Sequence, residues 1–223
     1  MENKNIMRSF VTDIDNTIAD TGNRILRSLE EIERVEVFEK TADRYGGFGD
    51  YLDGKEEEEF WRLFLSNRFL HLDEPARGAA ELLRKINRKG VEIIYLTGRH
   101  EERGDSMRSG TESWLGRHNF PSPEDTGVKL FMKPRRKMED RQFKLAKLRD
   151  EFSGKLEPGE VIGVGDHPND ALVYNQVGIR PILLKWSNLF SNRELESSVS
   201  GVTIIEGWKG LEKELSDSIN HTQ

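Results

Sequence analysis

Two acidic residues, Asp13 and Asp15, follow directly after the apolar-rich segment 6–11. That segment predicts a buried strand, and side chains two positions apart on a strand point to the same side, so we expect the two carboxylates to converge. Carboxylates held together repel each other unless a cation or a proton-transfer role offsets the repulsion. The pair therefore indicates metal-dependent chemistry.

Two simpler explanations of the acidic pair compete with this interpretation. A calcium-binding loop would begin in a similar way, but it requires glycine at its sixth position and glutamate at its twelfth. This chain has Ile18 and Arg24 at those positions. Chance surface acids are the other alternative, and the apolar strand predicted in front of them argues against it.

A second apolar segment, 93–96, ends in Thr97, Gly98 and Arg99. A threonine hydroxyl and exposed backbone N–H groups at a strand terminus can hold a phosphate oxygen, and glycine permits a close approach. The same threonine could instead be a simple strand end. The segment is therefore a candidate phosphate site that needs support from other residues.

A third apolar segment, 161–165, leads into Asp166, and Asp170 follows one turn later if a helix begins at Pro168. Magnesium prefers oxygen ligands and usually takes only one or two carboxylates from a protein. Asp166 fits the role of second carboxylate ligand. Asp170 could support the ligands without contacting the metal, or could orient a cation. Asp166 and Asn169 could also be ordinary turn residues.

A lysine is needed to neutralise a nucleophile and a phosphate between these segments. Lys144, near the start of a predicted helix, is the favoured candidate. Lys133, Lys137 and Lys147 compete with it, and a solvated helix face is the alternative for each.

Apolar segments with strand character alternate with segments of helical spacing, which predicts an α/β fold with a mostly parallel sheet covered by helices on both faces. The predicted strands lie at about 6–12, 91–96, 128–132, 161–165 and 181–184. The predicted helices lie at about 76–89, 105–117, 140–152 and 168–177. Near the C-terminus, residues 202–205 predict a short edge strand, followed by a terminal helix.

The residues between the first strand and helix 76–89 do not follow this alternation. Two predicted helices, 23–35 and 56–70, flank a turn-rich stretch at 45–54. An insertion of this size beside a candidate site is expected to act as a lid. Its aromatic residues could contact a substrate or form the insertion's own small core; they are Tyr45, Phe48, Tyr51 and Trp61.

The composition of the chain argues against several classes of protein. The chain has 223 residues, no cysteine, a net charge of −6 and 33% charged residues. The negative charge argues against tight general binding to nucleic acid. Residues 1–10 lack the apolar core of a signal peptide, and no run approaches the length of a membrane helix, so we expect a cytoplasmic protein without membrane contact.

Together these motifs resemble the haloacid dehalogenase-like (HAD) hydrolase superfamily, phosphatase type, over about residues 6–185. The resemblance implies a Rossmann-like core and a helical C1-type cap inserted after the first strand, with residues 1–19 and 75–223 as the core and 20–74 as the cap. The motifs that carry it, in order, are Asp13-x-Asp15-x-Thr17, Thr97-Gly98-Arg99, Lys144, and Gly165-Asp166-x-x-x-Asp170.

The resemblance also implies roles for these residues. It makes Asp13 the nucleophile and a metal ligand, and Asp15 the general acid/base whose backbone carbonyl also contacts the metal. Lys144 would neutralise charge, Asp166 would bind Mg²⁺, and Asp170 would lie behind these ligands. Phosphate contacts would come from Thr17, Thr97, Gly98 and Arg99.

The implied activity is Mg²⁺-dependent hydrolysis of a small phosphate monoester, such as a sugar phosphate or nucleotide, through an aspartyl-phosphate. An acid at position 15 favours a phosphatase, since dehalogenase-type members lack one. A non-catalytic binding protein with this fold and a phosphotransferase such as a mutase are alternatives.

A further alternative is a polynucleotide 3′-phosphatase, because Thr97-Gly98-Arg99, Trp114-Leu115 and Met132-Lys133-Pro134 faintly resemble the phosphatase domains of polynucleotide kinases. A cationic stretch could track a nucleic-acid backbone; it comprises Lys129, Lys133, Arg135, Arg136, Lys137 and Arg141. Glu139 and Asp140 lie close to it, and a solvated surface run is the simpler explanation.

Overall fold

A computed structural model describes residues 7–41, 48–154, 156–157, 159–185 and 201–221. Tyr45 and the glycines at positions 46 and 47 of the expected turn lie outside these residues. The strands are β1 (Ser9–Thr12), β2 (Ala19–Asp20), β3 (Glu74–Pro75), β4 (Glu92–His100), β5 (Val128–Lys133), β6 (Val161–Gly165), β7 (Arg180–Leu184) and β8 (Thr203–Ile205).

Six of these strands form one parallel sheet in the order β5-β4-β1-β6-β7-β8. In β1, Phe10 lies beside Ile93 of β4 and Ile162 of β6. The predicted parallel sheet and its C-terminal edge strand are confirmed. The chain order changes direction between β1 and β6, which is where open α/β sheets form a ligand crevice at the carboxyl ends of their strands.

Helices cover both faces of the sheet, as the alternating pattern predicted. Phe10 of β1 joins a cluster with α4, α5 and α8, while the next residue, Val11, joins a cluster with α6 and α7 on the opposite face. The helices are α1 (Gly22–Glu31), α2 (Val35–Thr41), α3 (Gly54–Phe64), α4 (Ala79–Arg88), α5 (Arg108–Arg117), α6 (Asp140–Glu151), α7 (Pro168–Gln176) and α8 (Gly207–His221). Within the described ranges, no helix is long and apolar enough to cross a membrane.

The segment between β1 and α4 folds into α1, α2 and α3. Its two ends are joined by the antiparallel pair β2 and β3, in which Ala19 faces Pro75. The helices share an apolar cluster distinct from those of the sheet; it contains Ile25, Leu29, Val37, Phe48, Leu52, Phe60 and Phe64. This separate core supports the expected lid, and the assignment of residues 20–74 as a domain stays a prediction.

Two details of the insertion differ from the sequence prediction. The predicted helix 23–35 ends at Glu31, because Glu33 adopts a positive φ of 59°, and a second helix, α2, begins at Val35. The predicted helix 56–70 ends at Phe64. Its start at Gly54 is fixed by a capping box between Asp53 and Glu56, which satisfies N–H groups that the helix leaves unpaired.

Candidate active site

Asp13 and Asp15 lie on a tight turn rather than on an extended strand. β1 ends at Thr12, the N–H of Ile18 donates to the Ile14 carbonyl at 3.0 Å, and Asn16 has a φ of 56°. The expectation that strand alternation brings the two acids together is therefore wrong in its cause. The turn after β1 brings the two acids together instead, and both line one cavity.

The Asp13 carboxylate is held at both oxygens. Its Oδ1 accepts a hydrogen bond from the Ile14 N–H at 2.7 Å, and its Oδ2 accepts one from Lys144 Nζ at 2.8 Å. Burial raises the pKa of Asp13 well above its usual value, against the opposing effect of Lys144. A carboxylate fixed in this way presents a defined oxygen to the cavity.

Lys144 is the lysine that reaches the acids. It is buried in α6, and its Nζ lies 2.8 Å from both Asp13 Oδ2 and Asp170 Oδ1. Burial lowers the pKa of Lys144, but the surrounding carboxylates outweigh this effect and raise the pKa well above its usual value. Lys144 is therefore a permanent cation at the site.

The competing lysines are placed differently. Lys137 pairs with Glu58 at 2.8 Å, and Lys147 lies 3.5 Å from Asp150. Lys133 is buried at the end of β5 and lines the cavity, and burial lowers its pKa. Only Lys144, among these four, contacts Asp13 in an ion pair.

Asp166 and Asp170 approach Asp13 from the end of β6. One carboxylate oxygen from each of the three residues lies within 4.8 Å of the other two. Asp170 is positioned by the start of α7, where its carboxylate accepts the His167 N–H at 3.4 Å. Gly165 leaves room for it, because a Cβ there would lie 2.5 Å from Asp170 Oδ2.

The charge balance of this cluster suits a divalent cation. Lys144 pairs with Asp13 and Asp170 of this cluster and also with Asp140 at 3.2 Å. Burial and the Asp170 charge raise the pKa of Asp166 to about 7. Hard carboxylate oxygens of this kind are ligands that Mg²⁺ accepts. Thr17 is buried and donates its hydroxyl to Asp166 Oδ1 at 3.0 Å, so it orients a candidate metal ligand, and its expected phosphate contact stays a prediction.

Asp15 belongs to a separate buried network of two acids and two arginines. Arg99 donates to Asp15 Oδ1 at 2.7 Å and to Asp73 Oδ2 at 2.7 Å. Arg24 of α1 also pairs with Asp15 and lies 2.9 Å from Asp73 Oδ1. Burial raises the pKa of Asp15, but the two arginines outweigh it and hold the pKa well below its usual value.

Arg99 makes several contacts within this network. The side chain is fully buried, and its guanidinium is committed to Asp15, Asp73 and the Thr111 hydroxyl. A phosphate contact from Arg99 stays a prediction, and its described contacts hold it against Asp15 and Asp73. The reason is positional, because β4 continues to His100 and directs the Arg99 side chain towards the turn after β1.

Thr97 and Gly98 end the regular part of β4, where the pairing with β5 is interrupted. Thr97 is fully buried, and its hydroxyl accepts the Arg99 N–H at 3.2 Å. Gly98 lines the cavity, and a Cβ there would lie 2.6 Å from Asp140 Oδ1. The glycine thus admits the Asp140 carboxylate, and phosphate contacts from Thr97 and Gly98 stay predictions.

Arg24 and Asp73 are the members of the site region that sequence reasoning missed. In the sequence, Arg24 serves only to exclude a calcium loop, and Asp73 has no role assigned to it. Arg24 carried a usable signal, because it shares the buried face of α1 with Ile25, Ser28 and Leu29. A charged residue on an apolar helix face requires a buried partner.

A cavity of about 660 Å³ lies between the sheet and the insertion, and the acids line it. Asp13, Asp15 and Asp166 lie at its floor, and the insertion supplies the opposite wall. The apolar residues of that wall are Ile25, Phe48, Trp61, Phe64 and Leu65, and Gly54, Glu57 and Glu58 also belong to it.

Three basic residues of the predicted cationic stretch, Lys133, Arg136 and Lys137, line the cavity, and acids pair with several members of the stretch. Lys129 pairs with Glu92 at 2.6 Å and Glu151 at 2.5 Å. The guanidinium of Arg136 lies 3.8 Å from Asp105 Oδ2. These pairs favour a structural use for much of the stretch, and nucleic-acid binding stays a prediction.

The parallel sheet, the crevice at its carboxyl edge and the inserted helices define the haloacid dehalogenase-like fold. Solved structures support this assignment. A candidate phosphatase from Clostridium difficile superposes with a TM-score of 0.68 at 16% identity, covering 94% of this chain and 99% of that one. A haloacid dehalogenase-like family protein from Streptococcus pneumoniae has a TM-score of 0.66 at 15% identity, covering 95% and 98%.

Sequence similarity is more limited. No family model matches the chain. A curated Bacillus cereus protein, described as a candidate nucleotidase, is 29% identical over 122 residues. The match covers 52% of this chain and 61% of that protein, so it spans less than two thirds of the relative.

Proposed function

We propose that this protein is a Mg²⁺-dependent phosphatase that hydrolyses a small phosphate monoester through an aspartyl-phosphate on Asp13. The observation that carries the proposal is the arrangement around Asp13. Its carboxylate is fixed by Lys144 at 2.8 Å and lies beside Asp166 and Asp170 at the carboxyl edge of the sheet. Similarity to phosphatase structures and to a candidate nucleotidase supports the same activity.

Asp13 and Asp166 would hold the cation, together with the backbone carbonyl of Asp15, while Asp170 orients Lys144. Bound Mg²⁺ supplies positive charge that stabilises the phosphoryl oxygens as they accept negative charge. Lys144 adds a second positive charge at the same place. Phosphate monoesters hydrolyse so slowly without a catalyst that concentrated positive charge is needed beside the nucleophile.

In the first step, an Asp13 oxygen forms a bond to phosphorus while the ester P–O bond breaks, and the leaving oxygen takes a proton from protonated Asp15. In the second step, water attacks phosphorus, loses a proton to Asp15, and releases phosphate and free Asp13. Arg24 and Arg99 keep Asp15 ionised, which is the form that accepts this proton.

The same arginines make protonated Asp15 the minority form at neutral pH. Proton donation from Asp15 in the first step is therefore less favourable than proton acceptance in the second. Substrates whose leaving oxygen needs little protonation should react fastest. The insertion closes over the acids as a cap in this proposal.

Phosphate release from a defined set of compounds tests the activity. The set comprises p-nitrophenyl phosphate, ribose 5-phosphate, the four nucleoside 5′-monophosphates and a 3′-phosphorylated oligonucleotide, each with Mg²⁺ or with EDTA. We expect Mg²⁺-dependent release from the small esters. Release from none would favour a non-catalytic binding protein, and oligonucleotide hydrolysis that falls steeply with salt would favour the polynucleotide alternative.

Magnesium affinity is expected to depend on pH. The pKa of Asp166 is raised to about 7 by burial and by Asp170, and a carboxyl group must lose its proton before it binds the cation. The apparent affinity should therefore fall as the pH drops below about 7, by about tenfold per pH unit for each proton released. The raised pKa of Asp13, the other proposed ligand, acts in the same direction. Calorimetric titration of Mg²⁺ at several pH values, in two buffers of different ionisation enthalpy, measures the Mg²⁺ affinity and the number of protons released on binding. Equal affinity at pH 6 and pH 8 with no proton release would contradict this expectation.

A further inference from the structure

Trp61 lies at the side of the cavity, and contacts with neighbouring groups fix the orientation of its ring. It lies on α3 and remains 37% exposed, although it contacts three other aromatic rings edge to face. Its ring centroid lies 6.0 Å from that of Phe48, 5.0 Å from Phe60 and 5.7 Å from Phe64. Its indole N–H donates to Glu57 at 3.3 Å, so ring packing and a hydrogen bond both fix its orientation.

The exposure of Trp61 differs from that of the other aromatic side chains around it. Phe48, Phe60 and Phe64 are buried in the core of the insertion, whereas Trp61 is 37% exposed. Trp61 lines the same cavity as Asp13 and Asp166. An exposed tryptophan on its own needs no explanation. An ordered tryptophan that shares a cavity with a nucleophile is a candidate ligand contact.

The rest of this wall offers few free hydrogen-bond partners for the hydroxyl groups of a sugar. Ile25, Phe64 and Leu65 are apolar. The two acids of the wall already have partners: Glu57 accepts the Trp61 indole N–H, and Glu58 pairs with Lys137. Sugar hydroxyls need several hydrogen-bond partners when they are buried, because an unpaired buried polar group is costly. A planar apolar ring has no such need and can stack on an indole.

We propose that Trp61 is a specificity residue that stacks on a planar aromatic ring in the leaving group of the substrate. The inference rests on the proposed phosphatase function and narrows its substrate class to aromatic phosphate monoesters of nucleotide size. Stacking of a base on an aromatic side chain contributes about 1–3 kcal/mol, which corresponds to roughly 5- to 150-fold in kcat/KM if it is retained in the transition state.

The test compares the four nucleoside 5′-monophosphates with ribose 5-phosphate. These compounds share the ribose 5′-oxygen as leaving atom, so a difference in kcat/KM reports contacts to the base. The wild-type protein should prefer at least one nucleotide by about tenfold or more. This ratio should fall to about one in Trp61→Leu, which keeps an apolar side chain without a ring, and should be partly retained in Trp61→Phe.

Val35→Ala is the matched control, because Val35 is 43% exposed in the same insertion and does not line the cavity. It should keep the wild-type ratio. No preference for any nucleotide, or a preference unchanged in Trp61→Leu, would overturn the stacking role. Hydrolysis of p-nitrophenyl phosphate separates the two proposals: if it is Mg²⁺-dependent and requires Asp13, the phosphatase function stands even when the stacking role fails.

Discussion

Asp13→Asn is expected to reduce Mg²⁺-dependent phosphate release by more than about 10³-fold, because it removes the oxygen that attacks phosphorus. The asparagine side chain has nearly the same size, and its carbonyl oxygen can still accept the Ile14 N–H that now lies 2.7 Å from Asp13 Oδ1. The fold should therefore be kept. Steady-state kinetics with p-nitrophenyl phosphate, together with circular dichroism, measures the effect.

Asp150→Asn provides the matched control for this substitution. Asp150 is an exposed acid on α6 whose nearest cation, Lys147, lies 3.5 Å away at the surface. The control should keep wild-type activity. Activity of Asp13→Asn within about tenfold of wild type would exclude Asp13 as the nucleophile.

Arg99→Met is expected to lower the free energy of unfolding by about 3–5 kcal/mol, because it leaves Asp15 and Asp73 with less positive charge in a buried site. Arg99 is fully buried and contacts both acids at 2.7 Å. Chemical denaturation at pH 7 measures this loss. Arg27→Met should cost less than about 1 kcal/mol, because Arg27 is 46% exposed and pairs only with surface acids of its own helix.

The pH dependence of this loss follows from Asp15. The pKa of Asp15 in the folded protein lies below its unfolded value because of Arg24 and Arg99. The stabilisation is therefore present above about pH 4 and is lost as the pH falls through the folded pKa. Adding Asp15→Asn to Arg99→Met should recover part of the stability at pH 7. If Arg99→Met cost no more than Arg27→Met, the network would not stabilise the fold.

The main features of the fold could be predicted because each is encoded locally. Apolar segments such as 161–165 carry enough β-branched residues to mark buried strands, and Gly90, with a φ of 81°, follows the end of α4. The order of strands and helices then restricts the sheet to few topologies. The break between α1 and α2 was not predictable in this way, because it depends on a positive φ at a glutamate.

The candidate site was predicted in part. Asp13, Lys144, Asp166 and Asp170 were named from motifs at strand and helix ends, and the structure brings them together. Arg24 could not be assigned to Asp15, because their contact depends on how the insertion returns to the sheet. The same packing commits Arg99 to Asp15 and Asp73, although its position after Thr97 and Gly98 had indicated phosphate.

The most direct test of the central claim is the capture of a phosphorylated enzyme. The protein is mixed with Mg²⁺ and a ³²P-labelled substrate found in the phosphate-release assay, quenched with acid within the first turnovers and digested to peptides. We predict label on the peptide that contains Asp13, lost on treatment with hydroxylamine and absent from Asp13→Asn. Turnover without labelled enzyme at any quench time, or label on a peptide lacking Asp13, would contradict the account.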